Sequence, residues 1–100
     1  MKPYSFKEVV ENMKPWENPE KAKAFLEFME TREDRDAADI CPRCGKPRMD
    51  AIKVRNALSR YARVYICNDC GADEALRDLY GEALPLNRWS MVKQAREAKP

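Results

Sequence analysis

The sequence predicts an α+β fold in which a ribbon with short antiparallel strands, held by four cysteines, is flanked by two N-terminal and two C-terminal helices. Three features of the 100 residues support this prediction. Two Cys-x-x-Cys pairs are separated by residues 45–66, alternating apolar residues precede the second pair, and apolar residues recur at helical spacing on both sides. We expect a single domain, 1–100, made of a helical part (1–39), the ribbon (40–71) and the C-terminal helices (72–100).

Two helices are expected before the ribbon. The first begins with a capping box, Ser5 with Glu8, and its apolar stripe consists of Phe6, Val9, Val10 and Met13. It ends before Pro15. The second has Asn18 as its N-cap with a proline behind it, and its stripe consists of Ala22, Phe25, Leu26, Phe28 and Met29. Both stripes are expected in the core, and the mixed-charge stretch 31–39 is either a solvated helix end or an acidic docking surface.

A metal site is predicted from the four cysteines of the chain, which are Cys41, Cys44, Cys67 and Cys70. Each pair has the spacing of a zinc knuckle, and the chain contains no histidine, so the expected site is tetrahedral, all-cysteine and closed. Gly45 and Gly71 each follow a pair, where a turn often needs positive φ. We expect one structural Zn²⁺, with rubredoxin-like iron as the rival metal. A thioredoxin-like redox pair and disulfides fit this sequence less well.

The ribbon itself is expected to contain one or two short strands within 46–54 and a loop or helical turn over 55–60. A clearer strand precedes the second cysteine pair. In that strand Val64 and Ile66 point to one side, and the opposite side carries Tyr61, Arg63 and Tyr65.

Two further helices are expected after the ribbon. The first covers 72–80 and ends at Gly81, with Asp73 and Glu74 in its first turn, where their charges complement the helix dipole. Its inner face is expected to consist of Ala75, Leu76, Leu79 and Tyr80. The last helix covers about 87–98, and its core anchors are Leu86, Trp89 and Val92.

The overall charge gives no argument for a nucleic-acid partner, but its distribution does. The formal net charge is +2, from 19 basic and 17 acidic residues, and four thiolates with one Zn²⁺ would add −2. Within 41–66, however, Asp50 is the one acidic residue, and the basic ones are Arg43, Lys46, Arg48, Lys53, Arg55, Arg60 and Arg63. The chain shows neither a signal-peptide pattern nor a stretch of membrane-spanning length, so we expect a cytoplasmic protein and no membrane partner.

The residue types argue for binding rather than catalysis. A chain without histidine lacks an imidazole acid or base, a closed site of four cysteines has no open coordination position, and the three glycines are isolated. We therefore expect no enzymatic activity. Basic groups beside aromatic rings can hold phosphates and stack bases, so the candidate nucleic-acid face consists of Lys53, Arg55, Arg60, Tyr61, Arg63 and Tyr65. The other interpretation is that the tyrosines cover the ribbon core and the arginines keep it soluble.

A protein-binding role is the alternative function. Trp16, between two prolines, and Trp89 are candidate interface anchors, although a tryptophan is more often a lid on the core. Such a protein could act through its helices, and the oligomeric state, including a homodimer, stays open.

Three segments of the chain resemble a known group of proteins: CPRCG at Cys41, ALSRYARVYIC ending at Cys67, and Cys-x-x-Cys-Gly-x-Asp-Glu-Ala ending at Ala75. They look like small zinc-ribbon proteins of Gram-positive bacteria and their phages or mobile elements, which mostly lack an assigned function. The resemblance covers Cys41 to about Tyr80. It implies that the four cysteines are the metal ligands, and it attaches no role to the shared segments 56–60 and 73–74.

The resemblance leaves two kinds of partner open. Zinc ribbons in general often bind nucleic acid or dock into transcription and replication machinery, which is an analogy at the level of the fold. Small phage proteins also inhibit host defence enzymes by covering their surfaces.

Overall fold

The structure is a computed structural model that describes residues 6–31 and 39–97. In this part of the chain the helices are α1 (Phe6–Met13), α2 (Pro19–Glu30), α3 (Asn68–Tyr80) and α4 (Ser90–Glu97). One antiparallel sheet joins β1 (Ala57–Leu58) to β2 (Tyr65–Ile66), and 3₁₀ turns cover Lys53–Arg55 and Leu86–Arg88. The predicted α+β class, a four-cysteine ribbon between two pairs of helices, is confirmed. Some of the sequence predictions fall outside the described residues: those for the capping box at Ser5, for the side chains of Phe6 and Val9, and for most of 31–39.

The second helix begins where its capping signal indicates. The Asn18 side chain accepts a hydrogen bond from the Lys21 amide at 2.8 Å, and Pro19 occupies the first turn. The stripe of this helix faces inward, since the buried residues include Ala22, Phe25, Leu26 and Met29.

Helices and ribbon share one hydrophobic core. The β1–β2 hairpin spans residues 57–66. One buried cluster contains Val10 of α1, four residues of α2, two of the hairpin and three near the C-terminus: Ala22, Phe25, Leu26, Met29, Val64, Ile66, Trp89, Val92 and Ala95. Three of the cysteines, Cys41, Cys67 and Cys70, are also part of it. Packing therefore ties the metal site to the helical part of the chain, while the domain boundaries proposed from the sequence stay a prediction.

The strands predicted within 46–54 are absent from this stretch, all of which the structure describes, and β1 lies instead in the segment expected to be a loop. The physical reason is Asn56, which is buried and uses its side chain to close the preceding loop. Its amide oxygen accepts from the Asp50 amide at 2.8 Å, and its amide nitrogen donates to the carbonyls of Asp50 and Lys53 at 3.2 and 3.1 Å. These backbone groups are thereby not available to a strand ladder.

Helix α3 begins earlier in the chain than the sequence predicts, and a different side of it is buried. Cys67 is its N-cap, so the second cysteine pair lies at the start of the helix, and Gly81 ends it in the left-handed conformation, as expected. Cys70 and Glu74, four residues apart and on one side, are its buried residues. The predicted inner face is wrong, because the large apolar residues project to solvent: Leu76 (55% exposed), Leu79 (82%) and Tyr80 (77%). Cys67 and Cys70, at the start of this helix, face the other two cysteines, and the rotation that this requires turns these apolar residues outward.

Candidate metal centre

The four cysteine sulfurs lie together, all within 4.8 Å of one another. The Sγ atoms of Cys41 and Cys70 are 3.8 Å apart, and those of Cys44 and Cys67 are 3.9 Å apart. Three of the side chains are buried, and Cys44 is half-buried. The sequence had paired these residues by spacing alone, and the fold brings the two pairs to one point.

The dimensions fit a tetrahedral metal ion. With metal–sulfur bonds of about 2.3 Å, the edges of a tetrahedral site of four sulfurs are about 3.8 Å long. All four cysteines are free, and their separations far exceed a disulfide bond of about 2.05 Å. The site therefore suits one metal ion held structurally by four thiolates, and this donor set accepts zinc or iron.

The first cysteine pair sits in a tight turn closed by backbone hydrogen bonds. The Gly45 amide donates to the Cys41 carbonyl at 2.8 Å, and Gly45 has the positive φ, 76°, that its position after the pair predicts. The Cys41 sulfur accepts from the Cys67 amide at 3.3 Å, and the nearby amides of Arg43 and Cys44 also favour its thiolate form and lower its pKa against the effect of burial. Such N–H···S bonds orient thiolate ligands and stabilise their charge.

The second pair is built differently from a knuckle turn. The sulfur of Cys67 caps α3 by accepting from the Cys70 amide at 3.4 Å. Gly71 lies within the helix rather than in a turn with positive φ, so that expectation is wrong. Glycine is required at position 71 for a different reason. A Cβ atom there would lie 2.5 Å from Cβ of Ala57 on β1, which is too close.

The N-termini of two helices meet the site. Helix α3 begins on Cys67, and the first amides of α4 reach the turn between the first two cysteines. The Ser90 amide donates to the Arg43 carbonyl at 3.1 Å, and the Met91 amide donates to the Pro42 carbonyl at 2.9 Å. Because a helix N-terminus carries partial positive charge, both ends favour the anionic thiolates.

The thiols differ in how readily they ionise. Burial raises the pKa of the Cys41 and Cys70 thiols. Burial also opposes ionisation of Cys44, but hydrogen bonds from the Lys46 amide and the other thiols outweigh it and lower the pKa of Cys44. A metal ion must displace protons from the buried thiols, so metal uptake releases protons and weakens as pH falls.

A buried ionic cluster adjoins the cysteines, and sequence reasoning missed it. The Arg43 side chain is 6% exposed, its Nη2 lies 2.6 Å from Oδ2 of Asp73, and the charge of its guanidinium interacts with the Cys70 thiol. Glu74, 2% exposed, accepts from the Ser59 hydroxyl at 2.7 Å and from the Arg60 amide at 2.8 Å. The available signal was the position of the acidic pair, three and four residues after Cys70, on its side of the helix.

The candidate nucleic-acid face is partly neutralised by acidic neighbours. Lys53 lies 3.5 Å from a carboxylate oxygen of Glu30 and 5.9 Å from the ring centre of Tyr65. Arg60 and the Tyr61 hydroxyl both contact Asp78, at 3.4 and 3.3 Å. The predicted face is thus divided into two ion-paired clusters.

Two cations of this face differ from the rest. Arg55 and Arg63 are exposed, and neither guanidinium has an ionic partner within residues 6–31 and 39–97. Their backbones are held, since the Arg63 amide donates to Glu27 at 2.9 Å and the Arg55 carbonyl accepts from Asn68 at 3.4 Å. These two side chains therefore keep their charge available to solvent and ligands.

The two tryptophans belong mainly to the core. Trp89 is fully buried, so its ring offers no surface to a partner, and its Nε1 has no hydrogen-bond partner among the described residues. Trp16 is half-buried and packs against the same core. The burial of Trp89 agrees with its prediction as a core anchor of the last helix and not with its use as an interface anchor.

Comparison with protein-family models, curated proteins and solved structures finds no match to this chain. Among the described residues, no helix combines the length and apolar character that crossing a bilayer requires.

Proposed function

We propose that this chain is a non-catalytic zinc-binding module that contacts nucleic acid, alone or in a nucleoprotein complex, through its ribbon. The zinc is structural in this proposal because all four ligand positions are thiolates and none is left for water or substrate. A cytoplasmic location belongs to the same proposal, since a reducing compartment keeps such thiols available to metal.

The observation that carries the nucleic-acid role is that Arg55 and Arg63 are exposed and have no ionic partner among the described residues, and that Arg63 lies in sequence between half-buried Tyr61 and Tyr65. Arginine charges without internal partners are free to neutralise phosphates, and the tyrosine rings offer stacking surfaces. Lys53 and Arg60 would have to exchange their carboxylate partners for phosphates, so they contribute less.

The test is a salt titration of oligonucleotide binding. Zinc-loaded protein is mixed with short single- and double-stranded oligonucleotides, and the dissociation constant is measured against salt concentration. Replacing Arg55 and Arg63 with alanine should lower the slope of log K against log salt by about 2, one for each lost phosphate contact. Arg88→Ala with Arg96→Ala removes two exposed charges outside the hairpin and should leave most of the slope intact. Equal losses from both double variants, or no salt-dependent complex, would refute the proposal.

A second candidate function is protein binding, and the exposed apolar stripe of α3 favours it. Leu76, Leu79 and Tyr80 form a stripe on the solvent side of the helix. A second copy of the chain is the partner to test, by sedimentation of the zinc-loaded protein over a range of concentrations. Leu79→Glu should abolish any dimer that uses this stripe, and a wild-type protein that stays monomeric excludes the homodimer.

A further inference from the structure

Arg43 occupies an unusual place for a charged residue. It lies between two metal-ligand cysteines, yet its side chain is 6% exposed and its Nε has no hydrogen-bond partner among the described residues. That nitrogen is 3.8 Å from Oε2 of Glu74, which is itself buried. A buried cation needs anionic neighbours on each side, because removing it from water is costly.

Arg43 lies between two groups of negative charge, the cysteine thiolates and the acidic residues of α3. A divalent ion with four thiolates carries a net charge of −2, and Arg43 lies in the chain between two of those cysteines, with its guanidinium close enough to Cys70 for the two charges to interact. On the other side stand the carboxylates of Asp73 and Glu74. Without Arg43, the metal–thiolate centre and the buried Glu74 would be like charges facing each other at low dielectric.

We propose that Arg43 is the positioning residue of the metal centre, the cation that lets a metal–thiolate site and the buried Glu74 carboxylate coexist. This inference rests on metal binding, the first part of the proposed function, and not on the nucleic-acid role. Groups that hydrogen-bond metal ligands typically change metal affinity by about 10- to 100-fold. Arg43 contributes in the same way, by holding Asp73 on the Cys70 side of α3 and by compensating charge beside the ligand sulfurs.

The same cluster connects the metal centre to the hairpin. Glu74 accepts hydrogen bonds from Ser59 and from the amide of Arg60, and the Ser59 hydroxyl in turn accepts from the Tyr61 amide at 3.2 Å. Loss of the guanidinium therefore removes the cationic neighbour of Glu74 and leaves its charge to the two hydrogen bonds from Ser59 and Arg60.

The experiment measures zinc affinity by competition with a chromophoric chelator under reducing conditions. Arg43→Gln should weaken zinc binding about 10- to 100-fold, and Arg43→Lys, which keeps the charge, should recover part of the loss. The matched control is Arg48→Gln. Arg48 also pairs with an acidic residue of α3, at 2.7 Å from Asp69, but both partners are exposed. This control should leave zinc affinity unchanged.

A double variant separates charge compensation from packing. If Arg43 acts by neutralising Glu74, then Arg43→Gln with Glu74→Gln should bind zinc more tightly than Arg43→Gln alone. In cobalt-loaded protein, Arg43→Lys should also shift the sulfur-to-metal charge-transfer band, which a packing role would leave in place.

The outcomes are distinct. Equal zinc affinity of Arg43→Gln and Arg48→Gln overturns the inference, as does a double variant no tighter than the single one. If Arg43→Gln does not fold, Arg43→Lys decides, and an unchanged affinity together with an unchanged cobalt spectrum overturns the inference. A wild-type protein that binds no metal would instead refute the proposed function itself.

Discussion

The Ser59 hydroxyl donates a 2.7 Å hydrogen bond to the carboxylate of Glu74, and both side chains are buried. This contact joins the end of β1 to the middle of α3. It also explains how a glutamate can be 2% exposed, since the carboxylate has a hydroxyl, a backbone amide and a nearby guanidinium as partners.

Ser59→Ala should lower the free energy of unfolding by about 1.5–3 kcal/mol, because it removes a buried hydrogen bond to a charged group. The measurement is denaturant unfolding at a fixed free zinc concentration. Ser90→Ala serves as the control, since its hydroxyl accepts a solvent-exposed bond from Gln94 at 3.1 Å and should cost much less. Equal costs at the two positions would contradict the buried role of Glu74.

Gly71→Ala should be destabilising although alanine is the better helix former by about 1 kcal/mol. The new Cβ would lie 2.5 Å from Cβ of Ala57, and such overpacking typically costs about 1–3 kcal/mol. In an Ala57→Gly background the clash is gone, so the same substitution should become stabilising. Thermal unfolding of the four proteins at one zinc concentration measures this reversal, and an unchanged sign would mean that α3 and β1 do not approach so closely.

Leu79→Ala tests the rotation of α3. Leu79 is 82% exposed, so its truncation should change the free energy of unfolding by less than about 0.5 kcal/mol. Leu26→Ala, in the core of α2, should cost about 2–5 kcal/mol. Denaturant unfolding measures both. A large loss at position 79 would support the inward-facing helix that the sequence pattern suggested.

Removal of metal should abolish the folded ribbon. The binding free energy of a structural zinc, on the order of 10 kcal/mol, is comparable with the whole stability of a small domain. Chelation under reducing conditions should therefore remove the near-UV circular dichroism signal of the buried Trp89, and added zinc should restore it. Metal analysis must first show that removal is complete. A native signal that persists in that sample would contradict this expectation.

Local signals were reliable where a short segment sets its own conformation. The N-cap at Asn18, the inward stripe of α2, the positive φ of Gly45 and the helix stop at Gly81 all follow from neighbouring residues, and the structure confirms them. The alternation of Val64 and Ile66 likewise places both in the core.

Predictions failed where particular side-chain contacts decide the conformation, over six residues or fewer at Asn56 and between distant segments elsewhere. Asn56 closes a loop where strands were expected, and the cysteine sulfurs rotate α3 so that its apolar residues face solvent. The buried state of Arg43 and Glu74 was equally hidden, because a charged residue is buried only when partners from other segments surround it.

Residue types and spacing alone predict the four cysteines as one candidate set of metal ligands, the four helices in outline and the concentration of basic charge between the cysteine pairs. Those properties depend on residue type and spacing along the chain. The tertiary structure alone decided which charges are paired, which face of α3 is buried and how Arg43 lies against the cysteines. Such properties depend on distances between segments far apart in sequence, because only the packed fold sets the dielectric surroundings and the partners of each side chain.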